Sequence, residues 1–222
     1  MGTRFWRFST LIIKRTFSTL WHTLVIVCLL WATPPALAAP QTILVVGDSI
    51  SAAYGMSLEQ GWVALWARQL AQSHPDYAVV NASISGETTS GAVRRMPDLL
   101  ARHSPAVVLI ELGGNDGLRG YPIKSFRANL ALLANQSREI GAAVVLIRME
   151  IPPNYGSRYT SGFRDSFGLV AEATGSHLAP FLLEGIATEA GLMQGDGIHP
   201  TATAQPAMLD NVLPTLMTVL SR

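Results

Sequence analysis

From Thr42 onward two hydrophobic patterns alternate along the chain. The first is a short, unbroken apolar run rich in Val and Ile: TILVV at 42–46, YAVVNA at 77–82, AVVLIEL at 106–112 and AVVLIRM at 143–149. A weaker run covers residues 177–180. Unbroken hydrophobicity suits strands covered on both faces, as in a parallel sheet. The second pattern has a helical period. Residues 61–73 bring Trp62, Leu65, Trp66, Gln69 and Leu70 to helical spacing. Residues 89–102, 122–140, 162–173 and 201–220 are further helical candidates. The β-α-β rhythm predicts an α/β fold, with an open parallel sheet, helices on both sides and right-handed crossovers. The two AVVLI runs read as equivalent strands. If they lie side by side in matching register, Glu111 and Arg148 share a face and can pair.

Residues 1–38 follow neither pattern. Arg4, Arg7, Lys14 and Arg15 stand without an acid, an apolar run follows at 24–32, and Ala36 and Ala38 supply the small residues that a signal peptidase reads. A secretory signal at 1–38 and a single domain at 39–222 are predicted. The run is shorter than the roughly 20 residues that span a bilayer. It can be extended back to Leu20, so an uncleaved anchor is the alternative. Lipid attachment at Cys28 is disfavoured by bulky Val27. Removing the leader changes the charge. It takes four of the 16 Lys and Arg and none of the 15 Asp and Glu, leaving twelve against fifteen, a net charge of −3. No basic patch then argues for nucleic acid. The only cysteine leaves as well, and the histidines are scattered, so no zinc ligand set remains. Neither metal nor cofactor is expected, and no stable membrane span after signal removal. An exported location, periplasmic or secreted, follows.

In open α/β sheets the working groups gather beyond the C-terminal ends of the strands. Those positions hold GDSIS at 47–51, SISGETT at 83–89, GGNDG at 113–117, EIPPNYGSRY at 150–159 and QGDGIHP at 194–200. Ser49 is a poor nucleophile until a base takes its proton. Of the five histidines, His22 falls in the leader, His74 and His103 sit at helix ends, and His177 has no evident task. Only His199 has an acid close by in a turn, Asp196. Such a carboxylate can hold one imidazole nitrogen and leave the other to face Ser49. Three donors can receive a developing oxyanion: the backbone N–H groups of Ser49 and Gly86, and the side-chain amide of Asn115. Each fragment alone is common in ordinary turns. Together they follow different predicted strands, in the set that a hydrolytic site needs.

These blocks resemble the SGNH, or GDSL-type, hydrolases. The family's four marker residues match Ser49 in GDSIS, Gly86 in SISGET, Asn115 in GGND and His199 in DGIHP. NASISGETTSG, ELGGNDGLRG and IPPNYGSRY look like the exported bacterial branch called thioesterase I, protease I or lysophospholipase L1, also known as arylesterase. The resemblance implies a three-layer αβα fold whose five-stranded parallel sheet has flavodoxin-like order. It also implies Ser49 as nucleophile, His199 as base, Asp196 as its partner and an oxyanion hole from Ser49, Gly86 and Asn115. Two positions depart from the family pattern. Ile50 replaces leucine, a swap of similar volume. Glu150 puts an acid in a loop that lines the acyl pocket of related enzymes. Asp48, Ile151, Pro152 and Tyr155 are candidates for substrate contact, with residues 88–97 as a movable opposite wall. The expected substrate is a small-molecule or lipid ester, and the expected state a monomer. Two other readings share these residues: a carbohydrate deacetylase or acetyltransferase, and a non-catalytic flavodoxin-like binding module.

Overall fold

The computed structural model describes residues 39–221; the signal expected at 1–38 lies outside them. Five parallel strands, β1 (Gln41–Gly47), β2 (Tyr77–Asn81), β3 (Val107–Glu111), β4 (Ala143–Ile147) and β5 (His177–Ala179), form one sheet in the order β2-β1-β3-β4-β5. Among the described residues six α-helices accompany them: α1 (Trp62–Ser73), α2 (Thr89–His103), α3 (Gly114–Leu118), α4 (Ile123–Glu139), α5 (Ser157–Thr174) and α6 (Gln205–Leu220). α1 packs with α6, while α4 packs with both α2 and α5. The step from β1 to β2 runs one way along the sheet and later steps run the other way. Right-handed crossovers then require helices on opposite faces, which gives three layers.

Hydrophobic burial explains why the runs are strands. Ile43 to Val46, Val108 to Ile110 and Val145 to Ile147 are fully buried in the central strands. Edge strand β2 is only partly covered. On α1, Trp62 and Trp66 stand one turn apart, both fully buried. The Trp62 backbone N–H donates to Oε1 of buried Gln205 at 2.9 Å, which ties α1 to α6.

Two local expectations change. α5 begins at Ser157, five residues before the predicted start. Its first turn is anchored from outside, because the Tyr159 hydroxyl donates to the Tyr121 carbonyl at 2.7 Å. Such an anchor leaves no periodic trace in the sequence. The pairing of Glu111 with Arg148 does not form. In the β3–β4 ladder Val107 stands opposite Ala143, one residue out of step with the matched AVVLI runs. A one-residue offset sends aligned side chains to opposite faces. Glu111 turns instead toward β1, where its Oε2 accepts from the Ser51 hydroxyl at 2.7 Å.

The strand order reverses at β1. In doubly wound sheets the crevice at such a switch point, outside the carboxyl ends of the two strands, is where ligands bind. Here it lies between the ends of β1 and β3, where Asp48-Ser49 and Gly113-Gly114-Asn115 leave the sheet.

Candidate active site

Ser49 follows β1 in a tight turn and is almost wholly buried. Its Oγ lies 2.9 Å from His199 Nε2, and His199 Nδ1 lies 2.7 Å from Asp196 Oδ2. A neutral imidazole that donates from Nδ1 to the carboxylate leaves Nε2 as an acceptor for the serine O–H. The three side chains thus form one hydrogen-bonded relay.

The turn holding Asp196 and His199 belongs to the long connection between β5 and α6. An isolated antiparallel bridge, Met193 with Pro200, closes its base. Inside it Asp196 Oδ1 accepts from the N–H groups of Ile198 at 2.9 Å and His199 at 3.0 Å. One carboxylate oxygen therefore shapes the turn while the other holds the ring. These bonds keep the Asp196 carboxyl far below the usual carboxylate range, led by the His199 backbone N–H. Asp196 therefore stays ionised at neutral and mildly acidic pH.

The expected oxyanion donors sit on the same rim. Among the described residues, the N–H groups of Ser49 and Gly86 make no backbone hydrogen bond. Gly86 has φ +79°, a conformation that favours glycine, and its carbonyl accepts from Arg119 Nη2 at 3.2 Å. Asn115 Nδ2 donates to Asp48 Oδ2 at 3.2 Å, which leaves its second amide hydrogen free.

Asp48 is 2 % exposed, and both its oxygens are engaged, Oδ1 with the Ile50 N–H at 3.0 Å. It borders the cavity beside Ser49, but its bonds orient Asn115 and the serine turn. Beneath it lies Glu111, fully buried, whose Oε2 also receives the Asp48 N–H at 3.3 Å. Burial, and then the neighbouring Asp48, push Glu111 well above the carboxylate range. Burial pushes Asp48 up from 3.8 to about 6 against its hydrogen bonds. An acid whose pKa is raised by folding holds its proton more tightly folded than unfolded. Its contribution to stability is complete at low pH and is lost as pH rises through the folded value. Conformational stability is therefore expected to decline on this account between about pH 4 and pH 6. The Asp196 effect lies lower and has the opposite sign. Asp48→Asn is expected to flatten the slope, measured by urea unfolding at pH 4, 5 and 6. An unchanged slope would show that Asp48 does not carry it.

A cavity of about 560 Å³ opens beside Ser49. Ile151, Pro152 and Pro153 form one wall, and Phe181, Leu183 and Met193 belong to the other. Tyr155 is not among the lining residues; its hydroxyl donates to the Leu118 carbonyl at 2.8 Å. Residues 88–97 do not line it either. They open α2, pinned by Thr89, whose N–H and hydroxyl donate to the Asp116 carboxylate at 2.9 and 2.6 Å. The opposite wall comes from the β5–α6 connection, whose irregular sequence shows no period to read. Glu150 lines the cavity and pairs with Arg164 at 3.1 Å. The one sequence signal for the fully buried Glu111 is that it is the single acid within an otherwise apolar run.

Residues 45–205 match the GDSL-like lipase/acylhydrolase family. The chain is 54 % identical over 183 residues to an esterase, TesA, of Pseudomonas aeruginosa, covering 82 % of this chain and 91 % of that protein. It is 39 % identical over 177 residues to thioesterase 1/protease 1/lysophospholipase L1 of Escherichia coli K12, covering 78 % and 82 %. Among solved structures it resembles the psychrotrophic esterase EstA of a Pseudoalteromonas species, inhibited by monoethylphosphonate. That likeness has a TM-score of 0.79 at 44 % identity, covering 82 % of this chain and all of that one.

Proposed function

The chain belongs to the GDSL-like lipase/acylhydrolase family, and from that premise we propose that it is a serine esterase working through an acyl-enzyme on Ser49. The carrying observation is the unbroken relay from Asp196 through His199 to Ser49. Ser49 Oγ attacks an ester or thioester carbonyl while His199 Nε2 takes its proton. The tetrahedral oxyanion is received by the N–H groups of Ser49 and Gly86 and the amide of Asn115. His199 then protonates the leaving alkoxide or thiolate. Water, deprotonated by the same ring, releases the acid and restores the serine.

The cavity supports an acyl substrate. Its volume lies in the range of small-molecule sites, and Met149, Ile151, Phe181 and Leu183 give it apolar walls. These walls are mainly apolar, which favours an acyl chain over a sugar, so the deacetylase reading is not favoured. The Arg164 pair offsets the charge of Glu150 at the rim. Aryl and acyl esters and lysophospholipids are the proposed substrates. Acyl-CoA thioesters suit the chemistry, but an exported enzyme would seldom meet them. Export is proposed from the composition of residues 1–38. Among the described residues no helix is long and apolar enough to cross a membrane. A monomer is proposed because one chain supplies every group in the relay and all three donors.

The test is p-nitrophenyl ester hydrolysis across chain lengths, before and after treatment with a fluorophosphonate. One equivalent of label on Ser49 should abolish turnover of every ester. Full turnover by the labelled protein, or no labelling at all, would refute the proposal.

A further inference from the structure

The turn that carries Asp196 and His199 lies within a long irregular connection, and the Asp196 side chain is 40 % exposed. Base catalysis nevertheless needs Nε2 held at hydrogen-bonding distance from Ser49. Two residues outside the relay meet at this junction. The Tyr54 ring lies against the His199 ring, with centroids 4.2 Å apart and planes inclined by 32°. The Gln194 side-chain amide donates from Nε2 to the carbonyls of Tyr54 at 2.8 Å and Pro200 at 3.0 Å. The Gln194 backbone N–H donates to the His199 carbonyl at 2.7 Å. Gln194 thus joins the nucleophile's turn to the base's turn.

We propose that Tyr54 and Gln194 form a clasp that positions His199 over Ser49. Gln194 sets the spacing of the two turns. Tyr54 sets the tilt of the imidazole and offers its π face to the positive charge that develops on the ring as it takes the serine proton. This inference rests on the reading of His199 as the base of Ser49.

Three observations carry it. Tyr54 is 49 % exposed, so burial does not explain its position; what it covers is His199. The turn that presents it uses a disfavoured backbone, with buried Ala53 at φ +56°. A side chain at Gly55 would collide with the Gln194 amide, so the clasp closes against bare backbone. The clasp acts through His199, so both are positioning residues.

The test uses p-nitrophenyl butyrate kinetics and the rate of covalent labelling by a fluorophosphonate, which draws on the same base. Tyr54→Leu is expected to lose about 3- to 30-fold in kcat and in labelling rate, with KM within about twofold. Tyr54→Phe keeps the ring and is expected to recover most of that loss. Gln194→Glu keeps the shape but loses the amide donor, and is expected to lose about 3- to 10-fold in kcat. Thermal melts check that each variant is folded. A raised KM with unchanged kcat in Tyr54→Leu would make the ring a substrate platform and overturn the proposal. So would a Tyr54→Phe variant as slow as Tyr54→Leu, or wild-type rates in all three. Ser49→Ala is run alongside. If it retains turnover, the nucleophile reading itself has failed. If it is dead while the clasp variants are unimpaired, only the clasp has failed.

Discussion

Ser49→Ala and His199→Ala are each expected to lose about 10⁴- to 10⁶-fold in kcat for ester hydrolysis, and the double variant is expected to be no slower than either. The reason lies in the relay. Ser49 Oγ and His199 Nε2 are 2.9 Å apart, so neither group does its work without the other. An alcohol without its base is un-ionised at neutral pH, and a base without the alcohol has only water to activate. The rate expected to survive is the part supplied by the proposed oxyanion donors and substrate binding. The measurement is hydrolysis of p-nitrophenyl butyrate at high enzyme concentration. Independent, multiplicative losses in the double variant would contradict a shared step.

Asn115→Ala is expected to cost about 10²- to 10³-fold in kcat with little change in KM. A donor aimed at the oxyanion strengthens its bond only as negative charge gathers there, so its loss falls on the transition state. Asp48 makes this amide a fixed dipole by accepting one of its hydrogens at 3.2 Å. Preorganisation of this kind means that nothing must reorient during the reaction. Steady-state kinetics on an ester series would check the split. A rise in KM at constant kcat would show instead that Asn115 holds the ground-state substrate.

Much of the fold and of the placement of the candidate site is legible in the sequence. Valine-rich runs broken by helical periods specify a covered parallel sheet, and function gathers where such strands end. The spacing of Asp196 and His199 is local, so a turn suffices to bring them together. Buried Asp48 and Glu111 were harder. An acid in GDS reads as part of the motif, and only packing shows that it braces Asn115 and the serine turn. Tyr155 reads in the sequence as part of an apolar edge with Ile151, Pro152 and Pro153. Its hydroxyl is used instead to fasten the Leu118 carbonyl.

The sequence by itself determined the kind of protein: an α/β sheet with a serine, a histidine, an acid and three candidate donors along one rim. Those follow from hydrophobic period and short-range spacing, both written into neighbouring residues. Tertiary structure decided the rest. It closed the 150-residue gap between Ser49 and His199 to 2.9 Å. It set the β3–β4 register one step away from the matched runs, which sent Glu111 toward the turn of Ser49 and Ser51 and away from Arg148. It built one cavity wall from the β5–α6 connection and laid Tyr54 against His199. These are relations through space between distant segments. Parallel register and ring contacts are fixed by how side chains pack across elements, and a period of two or 3.6 residues along one element carries no record of that packing.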